Sequence, residues 1–185
     1  KNSGVDVVLG ELGKDIEEVI KSYEIELDGK NYDILPVMDL TGHSISRYNI
    51  HSGKSVPNIH IPFYSARMKE GEIYAIEPFA STGKGRVIED KGNCSHYMIK
   101  NLNLRDNRLS TSEKEFIKNI YKKYLTLPFC TRWLDNDNIE YSMLNKLANM
   151  DIIQSYPPLY DIKNSFVSQY EHTILIKKNG IEILS

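Results

Sequence analysis

Two of the chain's histidines, His43 and His51, lie eight residues apart in the stretch "TGHSISRYNIH". Polar and apolar residues surround them, without a basic cluster, so the pattern leaves each as a core, loop or site residue. An imidazole beside scattered carboxylates suits a divalent metal such as Mn, Co, Fe or Zn. The sequence has no HExxH-type motif, so spacing alone does not assemble such a metal site.

Two glutamates are the candidate carboxylates. Glu77 interrupts the apolar stretch "YAIEPF", where a carboxylate is exposed or, if buried, paired, because burying an unpaired charge is costly. Glu171 and His172 are neighbours in the predicted strand "QYEHTILI". Adjacent side chains on a strand point to opposite faces, so we expect that the two do not share one site. The pattern alone favours an exposed glutamate and a partly buried histidine.

A glycine-rich stretch, "STGKG" at 81–85, has some likeness to a phosphate-binding loop. Such a loop needs the pattern GxxxxGK[ST], in which backbone N–H groups surround the phosphates. Pro78 stands where the first glycine is required, and Gly85 follows Lys84 in place of a serine or threonine. The sequence therefore predicts a tight turn here rather than a nucleotide site.

Helices in the middle of a strand-rich chain must position these candidates. Amphipathic helices are predicted over 12–23, 112–125 and 139–150. Strands are predicted on both sides of the Asp28-Gly29 turn, over 72–79, over 166–178 and over 181–185. "SYPPLYD" is predicted to be a rigid turn. This order indicates an α+β domain with a helical insertion.

The composition is that of a globular domain. A chain of 185 residues, with 41% hydrophobic and 26% charged residues, fits one domain. The net charge of −2 predicts no nucleic-acid surface, and no apolar run approaches the roughly 18 residues of a membrane helix. Cys94 and Cys130 are the only cysteines and form no CxxC pair, so neither a disulfide framework nor a cysteine zinc site is predicted. We expect a cytoplasmic protein.

Several blocks of sequence together resemble the type 2 methionine aminopeptidases, and the likeness runs in order over essentially all 185 residues. The blocks are "GHSISRYNIHSGKSVPN", "RMKEGEIYAIEPFASTGKG", "CSHYM", "FCTRWLD" and "YPPLYDIKNSFVSQYEHTILI". The resemblance implies the C-terminal part of a pita-bread fold, a curved antiparallel sheet with flanking helices and a helical insertion. It also implies one incomplete catalytic domain over 1–185, with 94–158 as the insertion typical of type 2 enzymes.

The resemblance assigns a role to each candidate. His43 and Glu77 would be ligands of one metal, Glu77 also lying near the attacking water, and Glu171 would bridge two metals. His51 would not bind metal but would donate a hydrogen bond to the scissile carbonyl as it becomes tetrahedral, so the catalytic residues would be His51 and Glu77. The residues implied to contact the substrate are Ile50, His51, His96, Tyr156 and Leu159, with Pro128 near the pocket wall.

The activity implied by the resemblance is metal-dependent removal of the N-terminal initiator methionine from nascent polypeptides. Two divalent metal ions (Co, Mn, Fe or Zn) would be the cofactors. The ribosome would be a partner, nucleic acid and membrane would not be contacted directly, and the intact enzyme would be a monomer. The family also takes two aspartates and a histidine from a segment before the first helix, whereas residues 1–10 contain only Asp6, in a different motif. We therefore expect the 185 residues alone to be inactive and poorly soluble.

Two other functions remain open at this point. The chain could be a non-catalytic binding module with this fold, although retention of His43, His51, Glu77 and Glu171 argues against it. It could also be another enzyme of the fold, such as a proline-specific peptidase. The "YPPL" block and the insertion argue against that alternative.

Overall fold

The computed structural model describes residues 2–89, 94–102, 104–134 and 141–185, without the side chains of Glu89 and Tyr141. The chain divides into two compact units, one formed by Lys1–Ile88 with Leu159–Ser185 and the other by Glu89–Pro158. None of the helices within the described ranges is long and apolar enough to cross a membrane. The domain boundaries predicted above, with the insertion at 94–158, stay a prediction.

The described residues form three α-helices and fifteen short strands. In chain order these are α1 (Leu9–Lys21), β1 (Glu24–Leu27), β2 (Lys30–Asp33), β3 (Leu35–Pro36), β4 (Thr41–Ile45), β5 (Ser55–Pro57), β6 (Ile73–Ile76), β7 (Phe79–Ser81), β8 (Ile88–Glu89), β9 (His96–Ile99), α2 (Thr111–Tyr124), β10 (Phe129–Cys130), α3 (Tyr141–Asn149), β11 (Ile153–Tyr156), β12 (Leu159–Tyr160), β13 (Val167–Gln169), β14 (His172–Lys177) and β15 (Gly180–Ile183). A 3₁₀ turn at Thr131–Leu134 follows β10.

The first unit is built around an antiparallel sheet of strand order β15-β14-β6-β4-β5 in the described part of the chain. One face of this sheet packs on α1, and the shared core consists of Leu9, Leu12, Val56, Met68, Tyr74, Ile174 and Ile176. Each aliphatic side chain buried there contributes about 1.5–3 kcal/mol relative to an exposed one. The helix therefore covers one face of the sheet and leaves the opposite face for other contacts.

A smaller sheet of order β13-β7-β3 and the hairpin β1-β2 also belong to this unit, and β12 pairs with β8. The hairpin turns at Asp28 and Gly29, which have φ of 51° and 75°. Positive φ at both central residues is the geometry of a type I′ turn, which explains the Asp-Gly pair. The predicted hairpin is confirmed.

The second unit packs α2 and α3 on the three-stranded sheet β10-β9-β11. Its buried core is Tyr97, Ile99, Leu109, Ile117, Ile120, Phe129, Leu134, Leu144, Leu147, Ile152 and Ile153. Helix α2 begins with a capping box, in which the Ser110 hydroxyl accepts from the Glu113 amide and the Glu113 carboxylate accepts from the Ser110 amide. Glu113 also forms an ion pair with Lys146 of α3 at 2.7 Å, so the cap joins the two helices.

Replacement of the capping hydroxyl tests this local account. Ser110→Ala is expected to lower the free energy of unfolding by about 1 kcal/mol, since it leaves the Glu113 amide without its acceptor. Ser112→Ala removes only the contact of its hydroxyl with Ser110 Oγ at 3.1 Å and keeps the bond to the Glu113 amide, so it should change stability less. Urea denaturation followed by circular dichroism measures both, and equal losses in the two variants would contradict the cap.

Several predicted elements have different bounds in the structure. Helix α1 covers Leu9–Lys21 rather than 12–23. The single strand predicted over 72–79 is divided into β6 and β7 at Glu77 and Pro78, because proline has no N–H for a continuous ladder. The strand predicted over 166–178 is divided opposite that point, into β13 and β14. The predicted third helix is present as α3, and its first predicted residues, 139–140, lie outside the described residues.

Candidate metal centre

Glu77 and Glu171 lie at the place where the central sheet and the smaller sheet meet. On one side of this place, β6 pairs with β14 so that Ile76 is opposite His172. On the other side, β7 pairs with β13 so that Phe79 is opposite Gln169. The register is the same in both ladders. Continuing the first ladder by one pair, from Ile76 to the residue that follows β6 and from His172 to the residue that precedes β14, therefore brings Glu77 opposite Glu171.

His43 lies on the same face of the sheet as these glutamates. It belongs to β4 and is opposite Ala75 of β6, and opposed residues of antiparallel strands share a face. Ala75 and Glu77 are two residues apart, so they face the same way. Ala75 is fully buried and presents only a methyl group. The small residue leaves room above it for an imidazole and two carboxylates.

The ligand atoms of His43 and Glu77 are already close together, with His43 Nε2 at 3.2 Å from Glu77 Oε1. Gly42 explains how β4 approaches so closely, because a Cβ there would lie 2.4 Å from the carbonyl oxygen of Ala75. Any side chain at position 42 would push β4 away from β6. The glycine that precedes His43 is therefore required for the His43–Glu77 contact.

The electrostatics of this face favour positive charge. Two carboxylates opposite one another on a sheet repel, and among the described residues no lysine or arginine forms an ion pair with Glu77 or Glu171. The hydrogen bond to Glu77 raises the pKa of His43; burial opposes this effect, and the charges of Glu77 and Glu171 reinforce it. The site is therefore an anionic face that a cation would stabilise.

His43 has one further unusual feature. Its Nδ1 is buried and forms no hydrogen bond to any described residue, although the Ser44 backbone lies near enough to favour the charged ring slightly. A buried donor left unpaired costs about 1–3 kcal/mol. Histidines that bind metals usually donate their second ring N–H to an acceptor. The structure thus provides the ligand nitrogen and one carboxylate partner, but not the acceptor for Nδ1.

His51 contacts the edge of His43. The two rings are perpendicular, at an interplanar angle of 84°, with centroids 4.3 Å apart. Partial burial lowers the pKa of His51, the neighbouring His43 lowers it further, and Glu77 opposes the shift. His51 is therefore neutral at neutral pH and retains one ring N–H that can donate a hydrogen bond.

Ser44 and Asn49 hold the loop that carries His51. Ser44, on the strand β4, accepts from the Lys54 amide through its hydroxyl at 3.0 Å, and its carbonyl accepts from the Ser52 amide at 2.8 Å. Within the loop, Asn49 Oδ1 accepts from the His51 amide at 3.3 Å. These bonds fix the backbone on both sides of His51. The sequence reasoning did not single out Ser44 or Asn49, since neither belongs to a chemical motif.

The residues implied to contact substrate fall into both units. Ile50 is half-buried beside His51, and Leu159 of β12 is 45% exposed in the same unit. In the other unit, His96 and Tyr156 are opposite one another on β9 and β11. Pro128, half-buried, precedes β10 in that unit. The implied pocket stays a prediction.

The residues fit a divalent metal as part of a ligand set. Two donors bound to one metal at about 2.0–2.2 Å, with an angle between 90° and 109°, are roughly 2.8–3.6 Å apart. The distance between His43 Nε2 and Glu77 Oε1 lies in this range. Among the described residues, however, no three His, Cys, Asp or Glu side chains are grouped closely enough to hold a metal. The described residues offer one pair of ligands, with Glu171 opposite it.

Comparison with solved structures identifies the class of fold. The chain has a TM-score of 0.69 to a thermophilic Arx1, at 19% identity, over 81% of this chain and 40% of that one. It has a TM-score of 0.53 to the methionine aminopeptidase of Thermotoga maritima, at 19% identity, over 98% of this chain and 43% of that one. The pita-bread fold implied by the sequence is confirmed by these similarities.

The family follows from the sequence itself. The model of metallopeptidase family M24 matches residues 2–107, and the chain belongs to this family. Members of a metallopeptidase family use a metal ion, which agrees with the anionic face described above.

Curated relatives match the whole chain. Methionine aminopeptidase 2 of Komagataella phaffii is 44% identical over 191 residues, and that of Dictyostelium discoideum is 46% identical over 186 residues. Methionine aminopeptidase 2A of Arabidopsis thaliana is 46% identical over 188 residues. In each case the match covers 100% of this chain and 42% of the relative. The chain thus spans less than half the length of the curated relatives it matches.

Proposed function

We propose that the protein is a methionine aminopeptidase, which removes the N-terminal initiator methionine from nascent polypeptides. The observation that supports this most directly is the position of Glu77 opposite Glu171, with His43 Nε2 3.2 Å from Glu77. Repulsion between opposed carboxylates is relieved when cations bind between them. Such a face is expected of a metal site and is unusual in a purely structural sheet.

The metal ligands in this chain would be His43, Glu77 and Glu171. Two divalent ions, Co, Mn, Fe or Zn, suit a set of one imidazole and several carboxylates. In aminopeptidases of this kind, paired metals acidify a bound water and polarise the scissile carbonyl. Glu171 would bridge, because a carboxylate has two oxygens that reach two cations. Further ligands would come from the aspartates and the histidine that the family supplies before the first helix.

The other residues would bind and orient the substrate. His51, neutral and held by its loop, would donate a hydrogen bond to the scissile carbonyl oxygen as negative charge develops there. Glu77 would orient the attacking water. Ile50, Tyr156 and Leu159 would form an apolar slot for the flexible thioether of methionine, with His96 beside it. The substrate is a nascent chain, so the enzyme would be cytoplasmic and would meet it at the ribosome. It would act as a monomer.

A binding module on the same fold is the second candidate. It is favoured by one observation, that no three ligand side chains are grouped among the described residues. The two candidates differ in whether a metal ion, added after a chelator, restores peptide hydrolysis. One assay therefore separates them.

The experiment measures bound metal and release of methionine from a Met-Ala-Ser peptide by the full-length protein. We expect release that is lost after treatment with a chelator and regained with Mn²⁺, Co²⁺, Fe²⁺ or Zn²⁺. The 185 residues on their own are expected to bind metal weakly and to release no methionine. Full-length protein that binds metal but hydrolyses no peptide would favour the binding module, and a preference for proline in the second position would favour a proline-specific peptidase.

A further inference from the structure

Asp161 is a buried carboxylate with four hydrogen-bond donors directed at it. Oδ2 accepts from the Ser81 hydroxyl at 2.7 Å and from the Gly85 amide at 2.8 Å. Oδ1 accepts from the Lys84 amide at 3.1 Å and from the Ile162 amide at 2.7 Å. Burial by itself would raise the pKa of Asp161, but these donors outweigh it and the pKa is lowered. The side chain is therefore charged and fully paired at neutral pH.

The loop around Asp161 is the "STGKG" stretch, which resembled a phosphate loop in the sequence. Its backbone N–H groups do surround an anion, but the anion is the chain's own carboxylate. Gly83 makes this possible, since a Cβ there would lie 2.5–2.9 Å from the carboxyl atoms of Asp161. The Lys84 and Gly85 amides, which a phosphate loop would direct at its ligand, are thus directed at Asp161.

Asp161 is the buried anchor of the segment around it, in which β12 (Leu159–Tyr160) also pairs with β8. From Leu159 to Thr173, all of which the structure describes, it is the only buried residue. Leu159 and Tyr160 immediately before it are 45% and 53% exposed. Two residues of chain span at most about 7 Å, so a fixed Asp161 restricts Leu159 to a small volume. The side chains next to Asp161 are exposed, so their packing cannot restrict Leu159 in this way.

A pair of hydrogen bonds between Thr82 and Phe166 holds the later part of the 159–173 segment. The Phe166 amide donates to the Thr82 hydroxyl at 2.8 Å, and the Thr82 amide donates to the Phe166 carbonyl at 3.0 Å. Strand β13 is therefore held independently of Asp161, by Thr82 and by its ladder to β7. Loss of the Asp161 contacts is expected to leave Leu159 held only by the pairing of β12 with β8, while the strand that leads to Glu171 stays in place.

We propose that Asp161 is a positioning residue that fixes Leu159 in the slot for the first side chain and so sets selectivity for methionine. The inference rests on the proposed function, because it takes Leu159 as a wall of that slot. Asp161→Asn keeps the shape of the side chain but replaces one acceptor oxygen by an NH₂ group. The donors directed at that atom then lose their acceptor, and the loop loosens.

The test is the ratio of kcat/KM for Met-Ala-Ser to kcat/KM for Leu-Ala-Ser in the full-length protein loaded with Mn²⁺. A hydrophobic slot discriminates such side chains by about 10–200-fold, and we expect Asp161→Asn to lower the ratio at least about 5-fold. The ratio does not depend on the fraction of folded enzyme, so a general loss of stability would not change it. Bound metal should equal that of the wild type.

Asp39→Asn is the matched control. Asp39 is exposed and accepts from the Val87 amide at 2.9 Å and from Arg86 at 2.7 Å. These two donors directly follow the 81–85 loop in the sequence. Asp39→Asn should leave the ratio unchanged. Amide hydrogen exchange gives a readout apart from activity, and Gly85 and Ile162 should exchange faster in Asp161→Asn but not in Asp39→Asn.

Three results would overturn the proposal. An unchanged ratio in Asp161→Asn despite faster exchange would show that the anchor does not act on the slot. Equal changes in Asp161→Asn and Asp39→Asn would show a general effect. If Asp161→Asn does not fold, Ser81→Ala, which removes one donor, should lower the ratio to a smaller extent, and no change there contradicts the proposal. A wild type that cleaves neither peptide would instead refute the proposed function.

Discussion

Glu171→Gln is expected to remove metal from the full-length protein and to abolish release of methionine. The amide has the size of the carboxylate but is neutral, so it can neither neutralise nor bridge two cations. Changing a residue that merely supports a ligand costs 10–100-fold in metal affinity or activity, so loss of a ligand itself should exceed about 100-fold. Metal analysis and the Met-Ala-Ser assay measure the two effects.

His172→Gln is the matched control, because the position is adjacent but points the other way. His172 is opposite Ile76, on the face away from Glu171, and its Nδ1 lies 2.7 Å from the Ser185 carbonyl. Its replacement should change stability modestly and leave metal content near that of the wild type. If Glu171→Gln retained normal turnover and metal while His172→Gln lost both, the assignment of the two neighbours would be reversed.

His51→Ala is expected to lower kcat by about 10²–10³-fold, the effect of removing one hydrogen-bond donor to a developing oxyanion. Metal content should stay normal, since the ligand assigned to this region is His43. The loop should keep its form, because the bonds that hold it involve Ser44, Asn49 and the backbone rather than the imidazole. The measurement is kcat together with metal content per protein.

His60→Ala provides the comparison for a histidine outside the site. His60 lies against helix α1, with its Nε2 3.3 Å from Glu11 Oε1 and its amide donating to Glu17. We expect kcat within a factor of about two of the wild type, as for most exposed positions. Loss of metal in His51→Ala would make His51 a ligand and contradict its division of roles with His43.

Local elements were predictable from the sequence because their signals are local. The 3.6-residue period of apolar side chains predicted α1, α2 and α3, and the Asp28-Gly29 pair predicted the hairpin. The N-cap of α2 is Ser110, a residue type that favours this position. In each case a few adjacent residues carry the information, so the bounds differ from prediction by only a few positions.

The arrangement of the candidate site depends on register, which the sequence pattern does not give. Glu77 meets Glu171 because two ladders on either side of Pro78 share one register, although they are 94 positions apart in the chain. The resemblance named these residues without explaining why they meet. Asp161 was missed because it was read as part of a turn, and its donors come from about 80 residues away.

An anomalous difference map would show directly whether metal ions bind between His43, Glu77 and Glu171. Crystals of the full-length protein grown with Zn²⁺, with data collected at the zinc edge, would locate each ion without reference to activity. We expect a peak within about 2.0–2.2 Å of both His43 Nε2 and a Glu77 oxygen, and a second peak shared through Glu171 at roughly 3.5–4 Å from the first. Fully occupied zinc elsewhere in an active protein, with no peak between His43, Glu77 and Glu171, would contradict this expectation.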